Sequence, residues 1–247
     1  MSGHSKWSTI KRKKGALDAK RSKIFTKLIK EISVAAREGG GDPDGNARLR
    51  LAIQNAKGQN MPKDNIDRAI KKSTGSEAVD YSEVTYEGYA PHGVAVFVEC
   101  ATDNLNRTVQ NVRSIFTKNG GNLATNGSVD FLFHRKGSFH LKQNENIDED
   151  EMTLELIDGG AEEADFQDGY IEVTTEMEDF GNMQSKLEGL NLEAETAELI
   201  RIPTTTVSLS DEHFQEVMKL IEMLEDDDDV QKVYHNLEVS EEQIDLI

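Results

Sequence analysis

The sequence predicts an α+β protein in which an N-terminal basic helical bundle precedes two ferredoxin-like α/β domains, one inserted in the other. Three observations favour this class. Apolar residues recur every three or four positions in the first 75 residues, alternating apolar residues follow in the rest, and the charge changes sign after Gly75. A chain of 247 residues is long enough for two or three domains. The predicted domains are residues 1–75, residues 76–134 together with 204–247, and the inserted residues 135–203.

The charge of the chain is strongly divided between two parts. Residues 1–75 contain 18 Lys and Arg against 7 Asp and Glu, a net charge of +11. The remaining residues contain 10 Lys and Arg against 39 Asp and Glu, a net charge of −29. A basic segment beside an acidic body is typical of a protein that meets a polyanion through the basic segment. The alternative is that the basic and acidic domains attract each other.

Three helices are predicted in the basic segment. Apolar residues recur every fourth position over residues 24–36, and a run of glycines then ends this first helix. A second helix is predicted near residues 46–56. A third is predicted over residues 62–72, because it begins with a proline that suits a first helical turn and is followed by glycine. Three short amphipathic helices of this kind form a small bundle.

The first α/β domain is predicted from segments on both sides of the insertion. Alternating apolar residues predict a strand at 94–100, followed by a helix that ends at Lys118. Val129, Phe131 and Phe133 alternate in the same way and predict a further strand. The segments predicted to complete this domain are a strand at 205–209, a helix capped near Ser210 and a strand at 230–237.

Residues 135–203 contain their own β-α-β-β-α-β series. Two helices are predicted there, one at 150–158 followed by two glycines and one at 179–190 with an apolar face. This order suits a two-layer unit with helices on one face of a sheet. The four strands are predicted near Ser138–Leu141, Glu163–Gln167, Tyr170–Thr174 and Ala197–Ile202.

The first 27 residues hold the predicted nucleic-acid-binding side chains. Few apolar residues precede Ile24, so we expect this basic arm to have little core to fold against. Lys and Arg neutralise phosphates, and an exposed Trp stacks on a base for about 1–3 kcal/mol. The alternative is a solvated chain end with its tryptophan packed on the bundle. The predicted binding residues are Lys6, Trp7, Lys11, Arg12, Lys13, Lys14, Lys20, Arg21, Lys23 and Lys27.

Patterns typical of catalysis or cofactor binding are missing from the sequence. The glycines at 39–45 lack the spacing of a nucleotide-binding loop, and the six histidines include no pair at metal-ligand spacing. We therefore predict a protein that is not an enzyme and takes no cofactor or metal. The four aspartates at 226–229 are expected to be a solvated helix end. Cys100 alternates with valines, which indicates a buried thiol.

A cytoplasmic location is expected from two further features. Cys100 is the single cysteine of the sequence, so no intramolecular disulfide can form, as suits a reducing compartment. No apolar run approaches the roughly 18 residues of a membrane span, so no membrane partner is expected.

Several segments match a known family closely. They include GHSKW at 3–7, VAAREGGGDPDGN at 34–46, NMPKDNIDRAIKK at 60–72 and GSVDFLF at 127–133. Through these segments the sequence resembles the YebC/PmpR family, which includes a mitochondrial translational activator of cytochrome c oxidase. The resemblance implies a helical N-terminal domain and two α/β domains. It also implies action either as a DNA-binding transcriptional regulator or on the ribosome in translation.

The residues and the resemblance together favour a non-enzymatic nucleic-acid-binding regulator of gene expression. Double-stranded DNA is the first hypothesis for its partner, with the basic N-terminal domain contacting phosphates. A ribosome-associated translation factor that binds ribosomal RNA is the alternative, because DNA and RNA present the same phosphates. A second alternative is a protein-interaction adaptor whose acidic domains bind a basic protein partner.

Overall fold

The computed structural model describes residues 18–75, 78–143, 148–167 and 169–244, with the backbone alone at 18–20 and 241. Over these residues the chain has a mixed α and β structure with eight α-helices and two antiparallel four-stranded sheets. The helices are α1 (Asp18–Gly39), α2 (Ala47–Gly58), α3 (Lys63–Thr74), α4 (Leu105–Lys118), α5 (Glu149–Asp158), α6 (Phe180–Gly189), α7 (Asp211–Asp226) and α8 (Glu241–Ile244). The strands are β1 (Ser82–Tyr89), β2 (Ala95–Thr102), β3 (Asn122–Leu123), β4 (Phe133–Lys142), β5 (Ala161–Gln167), β6 (Tyr170–Glu176), β7 (Ala194–Pro203) and β8 (Val230–His235).

The described residues form two compact units. Unit 1 takes its residues from 1–34, 76–134 and 202–247, and unit 2 takes its residues from 35–75 and 135–201. Each unit therefore combines a part of the basic segment with parts of the acidic segment. The three predicted domains, with their boundaries after residues 75, 134 and 203, stay a prediction.

Helix α1 begins at Asp18, six residues before the first apolar position of its predicted face. Arg21 lies one turn before Phe25, and its guanidinium carbon is 5.5 Å from the centroid of the Phe25 ring. Such i,i+4 contacts, together with the high helix propensity of Lys and Arg, extend a helix beyond its apolar stripe. Residues 18–23 of the predicted arm are therefore helical, and the expectation that the arm has little core to fold against stays a prediction.

Asn46 holds the sharp turn between α1 and α2. Its Oδ1 accepts a hydrogen bond from the Leu49 backbone N at 3.0 Å, which caps the start of α2. Its Nδ2 donates to the carbonyl oxygens of Ala35 at 2.7 Å and Gly40 at 2.8 Å. One buried amide thus satisfies backbone groups at the end of one helix and at the start of the next.

The sheet of unit 1 has the strand order β3-β1-β2-β8. Strands β1 and β2 form an antiparallel hairpin with Tyr89 opposite Ala95, and β2 pairs antiparallel with β8. The apolar faces of α4 and α7 contribute Phe116 and Ile221 to a core that also contains Val98 of β2. These three side chains are completely buried, so one face of the sheet carries the core of unit 1.

Two strand predictions in unit 1 need correction, and two strands, β1 and β3, were not predicted. Strand β1 lies before the predicted strand at 94–100, so the unit begins with a hairpin rather than with β-α-β. Residues 205–209 do not form a strand, because their pairing is a single parallel bridge between Val207 and Leu237. The pattern at 129–133 is also not a strand: Asp130–Leu132 form a 3₁₀ turn, and β4 begins only after it.

Unit 2 contains the series β4-α5-β5-β6-α6-β7, and its sheet has the order β5-β6-β4-β7. The elements of this series lie within a few residues of those predicted for 135–203. Phe139, Leu156, Ile171 and Met183 are buried together between the helices and the sheet. The local periodicity of this segment was therefore a sufficient guide to its connectivity.

Helix α2 also belongs to unit 2, where it packs on β7. Asn55 Nδ2 donates to the Ala197 carbonyl oxygen at 2.9 Å, and the Ala197 backbone N donates to Asn55 Oδ1 at 2.8 Å. A Cβ at Gly58 would overlap the carbonyl oxygen of Glu195, so this close approach requires glycine. A neutral amide and a glycine thus attach the helix to the strand.

Candidate nucleic-acid interface

The structure places the side chains of three predicted binding residues. Arg21, Lys23 and Lys27 lie in the first three turns of α1, within unit 1. Lys20 is described by its helical backbone. The predicted residues outside the described part of the chain are Lys6, Trp7, Lys11, Arg12, Lys13 and Lys14. The structure therefore gives no contact for most of the predicted interface.

Two of the three side chains are bound by the C-terminal end of α7. Lys23 Nζ lies 2.7 Å from Asp226 Oδ1, and Lys27 Nζ donates to the Glu225 carbonyl oxygen at 2.8 Å. Cations are stabilised at such a position, because the last carbonyl groups of a helix carry a partial negative charge. Arg21 by contrast is exposed. The charges of Lys23 and Lys27 are thus already engaged within unit 1.

A buried ion pair between Lys30 and Asp229 continues this row of contacts. Lys30 Nζ donates to Asp229 Oδ1 at 2.9 Å and to the Asp228 carbonyl oxygen at 2.7 Å. Arg107 Nη2 and Thr108 Oγ1 donate to Asp229 Oδ2 at 2.7 and 2.9 Å. Burial by itself would raise the pKa of the Asp229 carboxyl, but the hydrogen bonds from these side chains hold it below its ordinary value. The carboxylate therefore stays charged inside the unit.

Sequence reasoning missed this cluster, which we call the Asp229 cluster (Lys30, Arg107, Thr108 and Asp229). The expectation that residues 226–229 are a solvated helix end is wrong for Asp229, which is buried. The available signal was the spacing of Lys23, Lys27 and Lys30, which places three cations on one face of α1. A helix face with that much positive charge needs an acidic partner, either in the same protein or in a ligand.

A second group of cations lies in unit 2 and is exposed. Lys71 and Lys72 occupy the last turn of α3, where positive charge is favourable. Both lysines belong to the same basic segment as the predicted arm, and its positive charge was the signal that could have identified them. The predicted binding residues nevertheless end at Lys27. The exposed basic side chains of α2 and α3 are Arg50, Lys57, Lys63, Arg68, Lys71 and Lys72.

Helix α4 of unit 1 is a further basic element inside the acidic part of the chain. Its sequence contains Arg107, Arg113 and Lys118 and no Asp or Glu. An exposed stripe runs along it with the helical spacing i, i+4, i+7 and i+11. Asn, Gln, Arg and Thr are the side-chain types that hydrogen-bond base edges in the major groove. The residues of this stripe, here called the α4 stripe, are Asn106, Gln110, Arg113 and Thr117.

A cleft of about 560 Å³ lies beside α2 in unit 2. Arg50 and Lys57 line one part of it, and Glu188 and Glu193 line another. Asp44 also lines the cleft, so acidic side chains outnumber the two cations, whereas phosphates bind where positive charge accumulates. The cleft is therefore a weaker candidate for a nucleic-acid contact than the exposed cations of α3.

The described residues are informative about two kinds of chemistry, that of metal ions and that of the thiol of Cys100. They include no group of three or more His, Cys, Asp or Glu side chains placed to hold a metal ion. Cys100 is buried, and this burial raises the pKa of its thiol to about 12, so the reactive thiolate is scarce at neutral pH. In the same part of the chain, no helix is both long enough and apolar enough to cross a membrane.

Comparison with protein families gives two matches that together span most of the chain. A family model for the TACO1/YebC protein N-terminal domain matches residues 5–76. A model for the TACO1/YebC second and third domain matches residues 81–237.

Individual relatives match over nearly the full length. A probable transcriptional regulatory protein from Amoebophilus asiaticus is 56% identical over 239 residues, which cover 96% of this chain and 98% of the relative. A protein with the same description from Geobacter sp. (strain M21) is 54% identical over 245 residues, covering 99% and 98%. The crystal structure of the conserved hypothetical protein Aq1575 from Aquifex aeolicus is similar with a TM-score of 0.80, at 45% identity, covering 91% of this chain and 93% of that one.

Proposed function

This chain belongs to the TACO1/YebC family, and from that premise we propose that it is a non-enzymatic nucleic-acid-binding regulator of gene expression. The observation that carries the proposal is the concentration of positive charge in residues 1–75, beside a strongly negative remainder. A polyanion is attracted to the first part and repelled by the second, so residues 1–75 are favoured as the part that binds it. The printed names of the relatives, probable transcriptional regulatory proteins, support a regulator.

Duplex DNA is the first candidate for the nucleic acid. The basic arm and the exposed cations of α3 would neutralise phosphates, which supplies affinity without reading sequence. The α4 stripe favours duplex DNA specifically, because its side chains match the donors and acceptors of base edges and no acidic residue of α4 repels phosphates. We place this activity in the cytoplasm.

A ribosome-associated translation factor is the second candidate. Helix α3 favours the ribosome. Asp64 and Asp67 are interspersed among its exposed cations, so the helix offers scattered contacts for phosphates and not the continuous basic face of a helix that fills a groove. Co-sedimentation with ribosomes and equal affinity for all duplexes would support this candidate over DNA. A preference of about 10³-fold or more for one duplex would support DNA.

A protein-interaction adaptor is the third candidate, favoured by the surface of α5. Leu154 and Ile157 are 68% and 56% exposed and stand one turn apart on this helix. Residues 148–167 around them contain nine Asp and Glu and no Lys or Arg. An apolar pair in acidic surroundings suits a basic, partly apolar segment of another protein.

The test of the main proposal is a charge comparison in the full-length chain. Replacing Lys11, Lys13 and Lys14 by Gln should lower affinity for nucleic acid and make the slope of log affinity against log salt shallower by about 2.7, at about 0.9 per phosphate contact on duplex DNA. The matched control replaces the exposed Arg135, Lys142 and Lys219 by Gln, which removes the same charge from the acidic part. Equal effects of the two triple variants would contradict a role for the N-terminal arm, and salt-independent binding would favour the adaptor.

A further inference from the structure

Phe131 is exposed where the sequence pattern predicts burial. Its neighbours in the alternating pattern, Val129 and Phe133, are buried, whereas Phe131 is 70% exposed. Among the large apolar side chains of the described residues, it is the most exposed. A single exposed apolar side chain is ordinary on a protein surface, so the exposure alone indicates no function. Phe131 differs from such a residue because hydrogen bonds fix the loop that carries it.

A buried carboxylate holds the loop that carries Phe131. Glu87 Oε1 accepts from the Gly127 backbone N at 2.7 Å, and Glu87 Oε2 accepts from the backbone N of Val129 at 2.7 Å and of Asp130 at 3.0 Å. A buried carboxylate costs several kcal/mol unless hydrogen bonds satisfy it, and here backbone donors do so. These bonds replace the predicted strand by a turn that points the next side chain outward.

Further hydrogen bonds fix the loop before and after the exposed ring. The Tyr89 hydroxyl donates to the Ser128 carbonyl oxygen at 3.1 Å, and the Thr204 backbone N donates to the Leu132 carbonyl oxygen at 2.8 Å. The backbone on both sides of Phe131 is therefore tied to other parts of unit 1. A side chain on such a preorganised turn binds with a smaller loss of conformational entropy.

The polar residues of the loop that carries the ring favour a nucleobase over an apolar protein pocket. Thr125 and Asn126 of the same loop are exposed and polar. Gly127 has a φ of +85°, and nothing lies within 4 Å of the place where its Cβ would stand, so the loop backbone is open to a close ligand. Amide and hydroxyl groups near an aromatic face can hydrogen-bond the edge of a stacked base. A ring that inserts into an apolar pocket of another protein would instead be expected to have apolar neighbours.

We propose that Phe131 stacks on an unpaired nucleobase of single-stranded DNA or RNA. This inference rests on the proposed function, because residues 125–133 contain no Lys or Arg and the attraction to phosphates comes from cations outside this loop. The ring adds affinity for unpaired bases, which expose a face that a duplex hides. It does so without changing the number of phosphate contacts.

The experiment uses the full-length protein and three labelled probes of one mixed 12-nucleotide sequence: single-stranded RNA, single-stranded DNA and duplex DNA. Phe131→Ala should weaken single-strand binding about 5- to 150-fold, which corresponds to the ~1–3 kcal/mol of one base–aromatic stack, while duplex binding changes less than about twofold. The slope of log affinity against log salt should be unchanged. Phe131→Trp should restore the affinity, and the single strand with the larger loss identifies RNA or DNA as the source of the base.

Leu154→Ala is the matched control, because Leu154 is 68% exposed but lies in unit 2. It should bind all three probes like the parent. Unchanged single-strand affinity of Phe131→Ala, with salt-dependent binding of the parent intact, would overturn the stacking role and leave the proposed function standing. A melting temperature many degrees lower in Phe131→Ala would overturn it too, since the ring would then support the fold. A parent that binds none of the probes overturns the proposed function itself.

Discussion

Helices α1 and α2 come from the same basic segment, but different chemistry attaches them to their units. In unit 1, α1 buries Ile32, and its polar contacts are made by charged side chains, because Lys23, Lys27 and Lys30 bind the end of α7 and the residues that follow it. In unit 2, α2 makes its contacts with neutral amides, because Asn55 and Gln54 pair with the backbone of β7. The cations of α2 take no part in these bonds: Arg48 pairs with Glu38 at 2.7 Å, Arg50 donates to the Pro43 carbonyl oxygen at 2.8 Å, and Lys57 is exposed.

This difference shows that membership of a basic segment does not decide whether a cation is available to a ligand. Lys23 and Lys30 of α1 pair with carboxylates and Lys27 donates to a carbonyl oxygen, whereas Lys71 and Lys72 of α3 are exposed. A polyanion would have to compete with unit 1 for the first group but would meet the second group directly. The following predictions test that contrast.

Asp229→Asn should have the largest effect, because it leaves Lys30 buried without its counter-charge. Removal of one member of a buried ion pair costs about 3–5 kcal/mol of the free energy of unfolding. Asp228→Asn is the matched control, since Lys30 binds the backbone carbonyl of Asp228 and not its exposed side chain. Its effect should stay within about 0.5 kcal/mol. Urea denaturation of both variants at pH 7 measures the difference in stability. Equal stabilities would contradict a stabilising role of the Asp229 cluster.

The effect of Asp229→Asn on the free energy of unfolding should depend on pH. The pKa of Asp229 is lowered in the folded state, so the unfolded chain takes up this proton at a higher pH than the folded chain. The stability that the carboxylate contributes is therefore complete above the ordinary pKa of about 3.9 and is lost as the pH falls through the folded pKa. The gap in stability between the parent and Asp229→Asn should narrow from pH 7 to pH 3. A gap that stays constant would show that Asp229 acts by packing alone.

Asn55→Ala should destabilise unit 2 by about 1–3 kcal/mol, because two backbone groups of Ala197 lose their partner. Gln54→Ala removes one hydrogen bond, to the Ala194 carbonyl oxygen, and should cost about half as much. Both losses should be the same in 0.1 M and 1 M NaCl, since neutral hydrogen bonds are not screened. A strong salt dependence would show that charge also attaches α2 to its unit, which would contradict the contrast between α1 and α2.

Lys71→Gln with Lys72→Gln should make the slope of log affinity for duplex DNA against log salt shallower by about 1.8. The matched variant, Lys23→Gln with Lys27→Gln, removes the same charge from α1 and should change the slope by much less, because its lysines are already bound. Titration of both variants from 0.05 to 0.2 M salt makes the comparison. An equal change in the two slopes would mean that nucleic acid displaces the acidic end of α7.

Lys23→Gln should have the smallest effect on folding. Lys23 and Asp226 are both substantially exposed, and pairs of this kind contribute at most about 1 kcal/mol. The loss should vanish in 1 M NaCl, where surface charges are screened. Thermal melts at low and high salt measure it. A loss as large as that of Asp229→Asn would place Lys23 in the buried cluster.

Local patterns were sufficient for several elements of both units. The spacing of apolar residues identified α1, α2 and α3, and the inserted series from β4 to β7 lies close to its predicted positions. Strand β1 was missed because Ser82–Tyr89 buries an acidic residue, Glu87, where a strand facing a core is expected to carry an apolar one. Of the candidate interface, the sequence identified Lys23 and Lys27 as cations but not the partners that engage them.

Composition and short-range periodicity determined the charge division, most of the helices and the connectivity of the inserted series, because these depend on residues a few positions apart. Only the tertiary structure decided which charges are buried and which ring is exposed. Lys30 and Asp229 are separated by 199 positions, and Glu87 and Val129 by 42. No local pattern carries information across such distances. The packing of whole elements determines the partner of each buried charge. In the loop that Glu87 binds, this packing places Phe131 in solvent instead of in the core.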